Sequence, residues 1–144
     1  MTNTFLVAVD GSAGSLRAVD YATERAKASK AKLILAYVIE WSPYSFHTPE
    51  ELAERHKRRE EEIERAQSTI LGPILKSVKD KGVDAETVVH HGHPSETLIE
   101  LAKDRNTTQI FIGRKGESRM ASLLFGSVAG SLVQTSPVPV TVVP

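Results

Sequence analysis

Four residues near the C-terminal end of this 144-residue chain have types and spacing suited to anion chemistry: Gly113, Gly116, Gly126 and Ser127. Arg114 and Lys115 fill the first gap, and nine residues separate Gly116 from Gly126. Glycine lets a backbone approach an anion closely. A serine hydroxyl can donate to a phosphate oxygen. A helix that begins beside the glycines adds unpaired N–H groups and the positive end of its dipole. The apolar run 109–112 reads as a buried strand and the segment 128–133 as a helix start, so the pattern predicts a strand, a glycine turn and a helix that together cradle phosphate. Lys115 and Arg114 place positive charge beside it, with Ser118 and Arg119 as weaker candidates in the intervening loop. Plain turn glycines and a capping serine are the bland alternative.

A second candidate is Asp10, which follows the apolar run 5–9. Its carboxylate can accept from a ribose hydroxyl or an adenine amino group. Alternatively it closes an Asp10-Gly11-Ser12 turn and caps the next helix. His90, His91 and His93 raise the question of metal, but no carboxylate or cysteine adjoins them to complete a ligand set, and no metal site is assigned. Trp41, Tyr44 and Phe46 could close over a base, meet a partner, or fill the core.

The elements that must position these residues alternate. Strands are expected over 5–9, 33–39, 85–90, 110–112 and 138–143, because short continuous apolar runs read as parallel strands buried on both faces. Ser12 or Ser15 can cap a helix whose apolar residues Leu16, Val19, Tyr21, Ala22 and Ala26 recur at helical spacing. Trp41 to Pro49 reads as a loop. Glu50 to about Lys81 reads as a long charged helical region that Gly72-Pro73 kinks or restarts and Gly82 stops. A short helix over 95–104 follows Pro94. The α/β alternation predicts a parallel sheet with helices on both faces and right-handed crossovers. Ligands of such sheets bind at the carboxyl ends of the strands, where strand order reverses. If the first and fourth strands flank that point, Asp10 and Gly113 share one crevice.

Composition narrows the classes. Eighteen basic and 18 acidic side chains cancel, so no global field draws the chain to nucleic acid or anionic lipid. The dense charge of 51–65 places opposite signs four apart (Glu51 and Arg55, Glu54 and Arg58, Arg58 and Glu62, Glu61 and Arg65), which reads as a solvated helix face. There is no cysteine, hence no disulfide framework, and a reducing cytoplasm fits best. No signal-peptide pattern or bilayer-length apolar run is seen. Length, with no repeat or composition break, gives a single domain over 1–144.

The spacing Gly113, Gly116, Gly126, Ser127, together with the run Val7-Ala8-Val9-Asp10-Gly11-Ser12, the Gly92-His93-Pro94 turn followed by Ile99 and Ala102, and the terminal Val138-Pro139-Val140-Thr141-Val142-Val143, resembles the universal stress protein family over essentially the whole chain. Thr108-Gln109 depart from the Asp the family often places before the fourth strand, and His90-His91 are not a family feature; neither touches the glycine pattern. The resemblance implies an open five-stranded parallel sheet of order 3-2-1-4-5, Rossmann-like and of the adenine-nucleotide α-hydrolase type. It implies ATP (or ADP or AMP) with Mg²⁺ on the phosphates, held by Ala8, Val9, Asp10, Val38, Ile112, Gly113, Lys115, Gly116, Gly126, Ser127 and Val128. Val38 would pack on adenine; its plain reading is a core valine. A homodimer through Val138, Val140 and Val142 is implied too. Pro139 would protect part of that edge strand, and an apolar terminal edge suits two-fold pairing.

The Walker phosphate loop, the Gly-x-Ser-x-Gly elbow and the dinucleotide fingerprint after the first strand are all absent. No residue is placed as an efficient general base, so catalysis is limited to slow ATP hydrolysis at most. The expectation is an ATP-binding regulatory protein whose nucleotide occupancy sets the loop after Gly113 and the aromatic loop after strand two, read by an unknown protein partner. A slow ATPase and a dimeric interaction module that binds no nucleotide are the alternatives.

Overall fold

In a computed structural model that describes residues 3–40, 48–115 and 126–144, the apolar runs become five parallel strands. These are β1 (Thr4–Ala8), β2 (Lys32–Glu40), β3 (Ala85–Gly92), β4 (Gln109–Gly113) and β5 (Val140–Val143). Five α-helices separate them: α1 (Ala13–Ser29), α2 (Pro49–Arg65), α3 (Gly72–Asp80), α4 (Pro94–Asp104) and α5 (Ser127–Thr135). The sheet order is β3-β2-β1-β4-β5, the expected 3-2-1-4-5. Order reverses at β1, which pairs with β2 from Thr4 opposite Lys32 and with β4 from Phe5 opposite Gln109. Asp10 and Gly113 therefore leave neighbouring strands at the same edge.

Side-chain parity sorts the core into two layers. Phe5, Val7, Leu33, Leu35 and Phe111 face α1 and α3; Leu6, Ile34, Ala36, Ile110 and Ile112 face α4 and α5. Each fully buried aliphatic side chain stabilises by about 1.5–3 kcal/mol, so burial on both faces of β1 and β4 makes any slip in their pairing costly. Helix α1 buries Ala18, Val19, Ala22, Thr23 and Ala26. Leu16 and Tyr21, expected on that face, stay 44% and 43% exposed. They flank the stripe because the helix packs its small residues against the strands. The Tyr21 ring nevertheless lies 6.0 Å from that of Phe111.

The charged region departs from a simple kinked helix. It starts at Pro49, one residue earlier than expected, because Thr48 and Glu51 form a capping box and proline suits the first helical turn. A π-helical segment, Ala66–Leu71, then joins α2 to α3. Gly72 N–H reaches back five residues to the Gln67 carbonyl, and Pro73, with no N–H of its own, accounts for the altered ladder. Helix α2 buries no residue, as a solvated face should, and His56 pairs with Glu60 at 3.1 Å. Gly82, at φ +86°, follows the end of α3. Strand β3 runs two residues beyond expectation because β2 pairs with it as far as Glu40 opposite Gly92. Strand β5 begins at Val140 rather than Val138. Val138, Val140 and Val142 are half-buried against the layer beneath α4 and α5, so these side chains already serve the chain's own core.

Candidate functional site

A cavity of about 390 Å³ opens at the carboxyl edge of β1, β2 and β4 and at the amino ends of α4 and α5. Its lining includes Ala8, Val9, Asp10, Val38, Ile112, Gly113, Lys115, Gly126, Ser127 and Val128. These are all the nucleotide positions named from sequence except Gly116, which lies outside the described residues, as do Trp41, Tyr44, Phe46, Ser118 and Arg119. Parity explains the apolar wall. Ala8, Ala36, Val38 and Ile112 point to the same layer, and Leu98 and Ala129 close it from α4 and α5.

Backbone hydrogen bonds tie the residue after Gly113 both to β5 and to the start of α5. Arg114 N–H donates to the Val143 carbonyl at 2.8 Å, and Gly126 N–H donates to the Arg114 carbonyl at 2.7 Å. The strand end and the start of α5 are thereby held side by side despite the intervening sequence. Gly126 is the N-cap of α5 and contributes no side-chain cap. The first backbone bond of the helix is Gly130 N–H to the Gly126 carbonyl at 2.9 Å, which leaves the N–H groups of the first turn, beginning at Ser127, directed out of the helix end. Ser127 is exposed and Val128 half-buried. Lys115 adds a cation to the same cavity, and Asp10 and Glu40 add carboxylates.

Gly113 has a packing role that the sequence did not disclose. A Cβ built on it would lie 2.8 Å from the backbone of Gly14, and one on Gly14 would lie 2.5 Å from the Lys115 carbonyl oxygen. The two glycines let the first turn of α1 rest directly on the end of β4. Asp10 is also partly committed. Its Oδ1 accepts from Ser12 N–H at 2.9 Å and from the Ser12 hydroxyl, so the turn anticipated as its bland alternative is present alongside its place in the cavity wall. Ser12, not Ser15, is the N-cap of α1.

Sequence reasoning missed Ser12, Ser15, Ala36, Tyr37, Ile39, Glu40, Pro94, Leu98 and Ala129 as cavity residues. The two-residue spacing from Val38 to Ala36 and the four-residue spacing from Pro94 to Leu98 were the available signals. The histidines stand apart from this wall. His91 Nε2 lies 3.4 Å from Glu62 Oε2, a carboxylate that α2 brings from far along the chain and that sequence adjacency did not reveal. His93 Nδ1 meets the Ser95 hydroxyl at 3.2 Å. Among the described residues no group of three or more His, Cys, Asp or Glu could hold a metal ion, and no helix is long and apolar enough to cross a membrane.

The family model described as the universal stress protein family matches residues 1–144. Universal stress protein YxiE of Bacillus subtilis is 30% identical over 150 residues, covering 99% of each chain. Universal stress protein Rv1636 of Mycobacterium tuberculosis is 31% identical over 153 residues, covering 97% of this chain and 94% of its own. Universal stress protein UspA from Lactobacillus plantarum shares the fold at a TM-score of 0.85 and 24% identity, over 99% of this chain and 97% of its own. A universal stress protein solved in complex with cAMP superposes at a TM-score of 0.71 with 30% identity, over 99% and 96%.

Proposed function

The chain belongs to the universal stress protein family, and on that premise we propose that its cavity binds an adenine nucleotide, ATP with Mg²⁺ in the first instance. The observation that carries this reading is the joining of an apolar wall to a helix amino end that has no side-chain cap among the described residues, within one cavity at the strand-order reversal. The volume of about 390 Å³ lies in the range of small-molecule sites. The base would lie against Ala8, Val38 and Ile112. The phosphates would meet the first-turn N–H groups and hydroxyl of α5, where the helix dipole favours anions, with Lys115 supplying further positive charge. Asp10 would face the sugar or base rather than the phosphates, since like charges repel. The relative solved with cAMP supports an adenine ligand class.

The whole of 1–144 acts in this reading as one nucleotide-binding domain of a stress-response regulator in the cytoplasm, paired as a homodimer along the exposed edge of β5. Occupancy is communicated through the segments that leave the cavity wall after Glu40 and Lys115 to a protein partner. Mg²⁺ is carried by the phosphates rather than by a protein ligand cluster. Hydrolysis is at most slow.

Calorimetric titration tests this with Mg²⁺-ATP and with adenosine. Ala8→Leu fills the base end and should weaken both ligands at least about tenfold, the loss expected when a well-packed site is overfilled by a side chain. Ser127→Asp sets a carboxylate where phosphate would sit. It should weaken ATP about tenfold while leaving adenosine nearly unchanged. Wild-type protein that binds neither ligand, and carries none through purification, would favour the nucleotide-independent interaction module.

A further inference from the structure

The turn that leads from β1 into α1 closes on itself through three side chains that all line the cavity. Asp10 N–H donates to Ser15 Oγ at 3.3 Å, and the Ser15 hydroxyl donates to the Ser12 carbonyl at 3.0 Å. Ser15 N–H donates to Ser12 Oγ at 3.1 Å, and the Ser12 hydroxyl donates onward to Asp10 Oδ1. Ser12 N–H donates to the same oxygen at 2.9 Å. Gly11, at φ +81°, supplies the left-handed backbone that folds the turn back. Ser15 is 3% exposed, so the ring is anchored in the packed base of the helix rather than in solvent.

We propose that Ser12 is a positioning residue for ligand recognition by Asp10. Both of its donors fall on Oδ1, which fixes the carboxylate in one rotamer and leaves Oδ2 outside the ring as the acceptor for a donor on the ligand, a sugar hydroxyl or a ring amino group. This deepens the adenine-nucleotide reading and rests on it for the identity of the ligand. An unheld carboxylate samples about three staggered wells; without the Ser12 hydroxyl, Oδ1 keeps only the backbone N–H of residue 12, and a single hydrogen bond contributes modestly. Loss of the Ser12 hydroxyl should therefore weaken ligand binding about three- to tenfold.

The experiment is a double-mutant cycle in Mg²⁺-ATP affinity, using Ser12→Ala, Asp10→Ala and the pair, with Ser12→Thr as the conservative rescue. It is joined to three-bond NMR couplings that report the Asp10 side-chain rotamer in ligand-free protein. Ser12→Ala should weaken ATP when Asp10 is present, have no further effect when it is absent, and shift the couplings toward their rotamer average; Ser12→Thr should restore both readouts. Should the alanine variant not fold, Ser12→Gly, a better-tolerated N-cap, takes its place. Equal loss in both backgrounds would make Ser12 a helix cap only and overturn the proposal. So would averaged couplings in the wild type, or unchanged couplings in the variant, whether or not ATP binds. Couplings that change as expected in a protein that binds no ATP would instead uphold the positioning role and remove the adenine-nucleotide reading.

Discussion

Gly113→Ala separates two reasons for a glycine at the end of β4. If the residue is small only so that a ligand can approach, alanine should weaken binding and leave stability intact or slightly raised. The packing says otherwise. The new Cβ would meet Gly14 C and O at 2.8 Å and Ser15 N at 3.2 Å, all backbone atoms, where ordinary contact begins at 3.4 Å. No side chain can rotate aside, so α1 must move off β4 by roughly half an ångström or more near its first turn. Overpacking of this kind costs about 1–3 kcal/mol, and the entropic advantage of alanine over glycine returns about 0.5–1 kcal/mol. The difference runs up to about 2.5 kcal/mol and centres on a loss of about 1 kcal/mol, or a fall in Tm of about 2–4 °C at this chain length. Urea and thermal unfolding of ligand-free protein measure it. Gly14→Ala meets the Lys115 carbonyl at 2.5 Å and should destabilise similarly. Because both substitutions push the same helix turn away, the double variant should lose less than the sum of the two. Gly113→Ala protein as stable as wild type would refute the claim that helix packing requires this glycine.

Two further expectations concern parts of the molecule away from the cavity. Glu86 bonds Lys32 at 3.0 Å and also contacts Arg105; its carboxyl is held below its usual range by the hydrogen bond from Lys32, with burial opposing and the charges of Lys32 and Arg105 reinforcing. A depressed folded-state pKa contributes stability that is present above the unfolded value, near 4.5, and lost as pH falls through the folded value. Glu86→Gln should therefore cost no more than about 0.5 kcal/mol at neutral pH, given the solvent screening of a pair this exposed, and the difference from wild type should shrink in unfolding curves as pH falls below the unfolded value and vanish once it is below the folded one. A cost that persists at low pH would assign the effect to packing. Thr107 is 5% exposed and its hydroxyl has no partner among the described residues. Thr107→Val keeps the shape and removes the unpaired group, and should stabilise by about 1 kcal/mol; a destabilised variant in urea unfolding would show that the hydroxyl is satisfied in solution.

The strands were legible because they are buried on both faces, and such burial writes itself as continuous aliphatic runs at Phe5–Val9, Leu33–Ile39 and Ile110–Ile112. The described members of the glycine and serine spacing converge on one cavity, as expected for a strand that turns through glycine into a helix at the sheet edge. Other features depend on contacts between residues distant in sequence, which local pattern does not encode. Periodicity placed Leu16 and Tyr21 on the buried stripe of α1, but the rotation of that helix is set by the close fit of Gly14 against Gly113. The meeting of Glu62 with His91 depends on where α2 ends after a long excursion. The sequence by itself determined the α/β alternation and, through it, that Asp10, Gly113, Gly126 and Ser127 lie at the carboxyl edge of the sheet, because each rests on strand burial and connectivity. Only the tertiary structure decided that Gly113 is small for the sake of a helix, that Ser12 holds one oxygen of Asp10, and that α4 closes the apolar wall, because each is a matter of which atoms come within a few ångströms once the layers have packed.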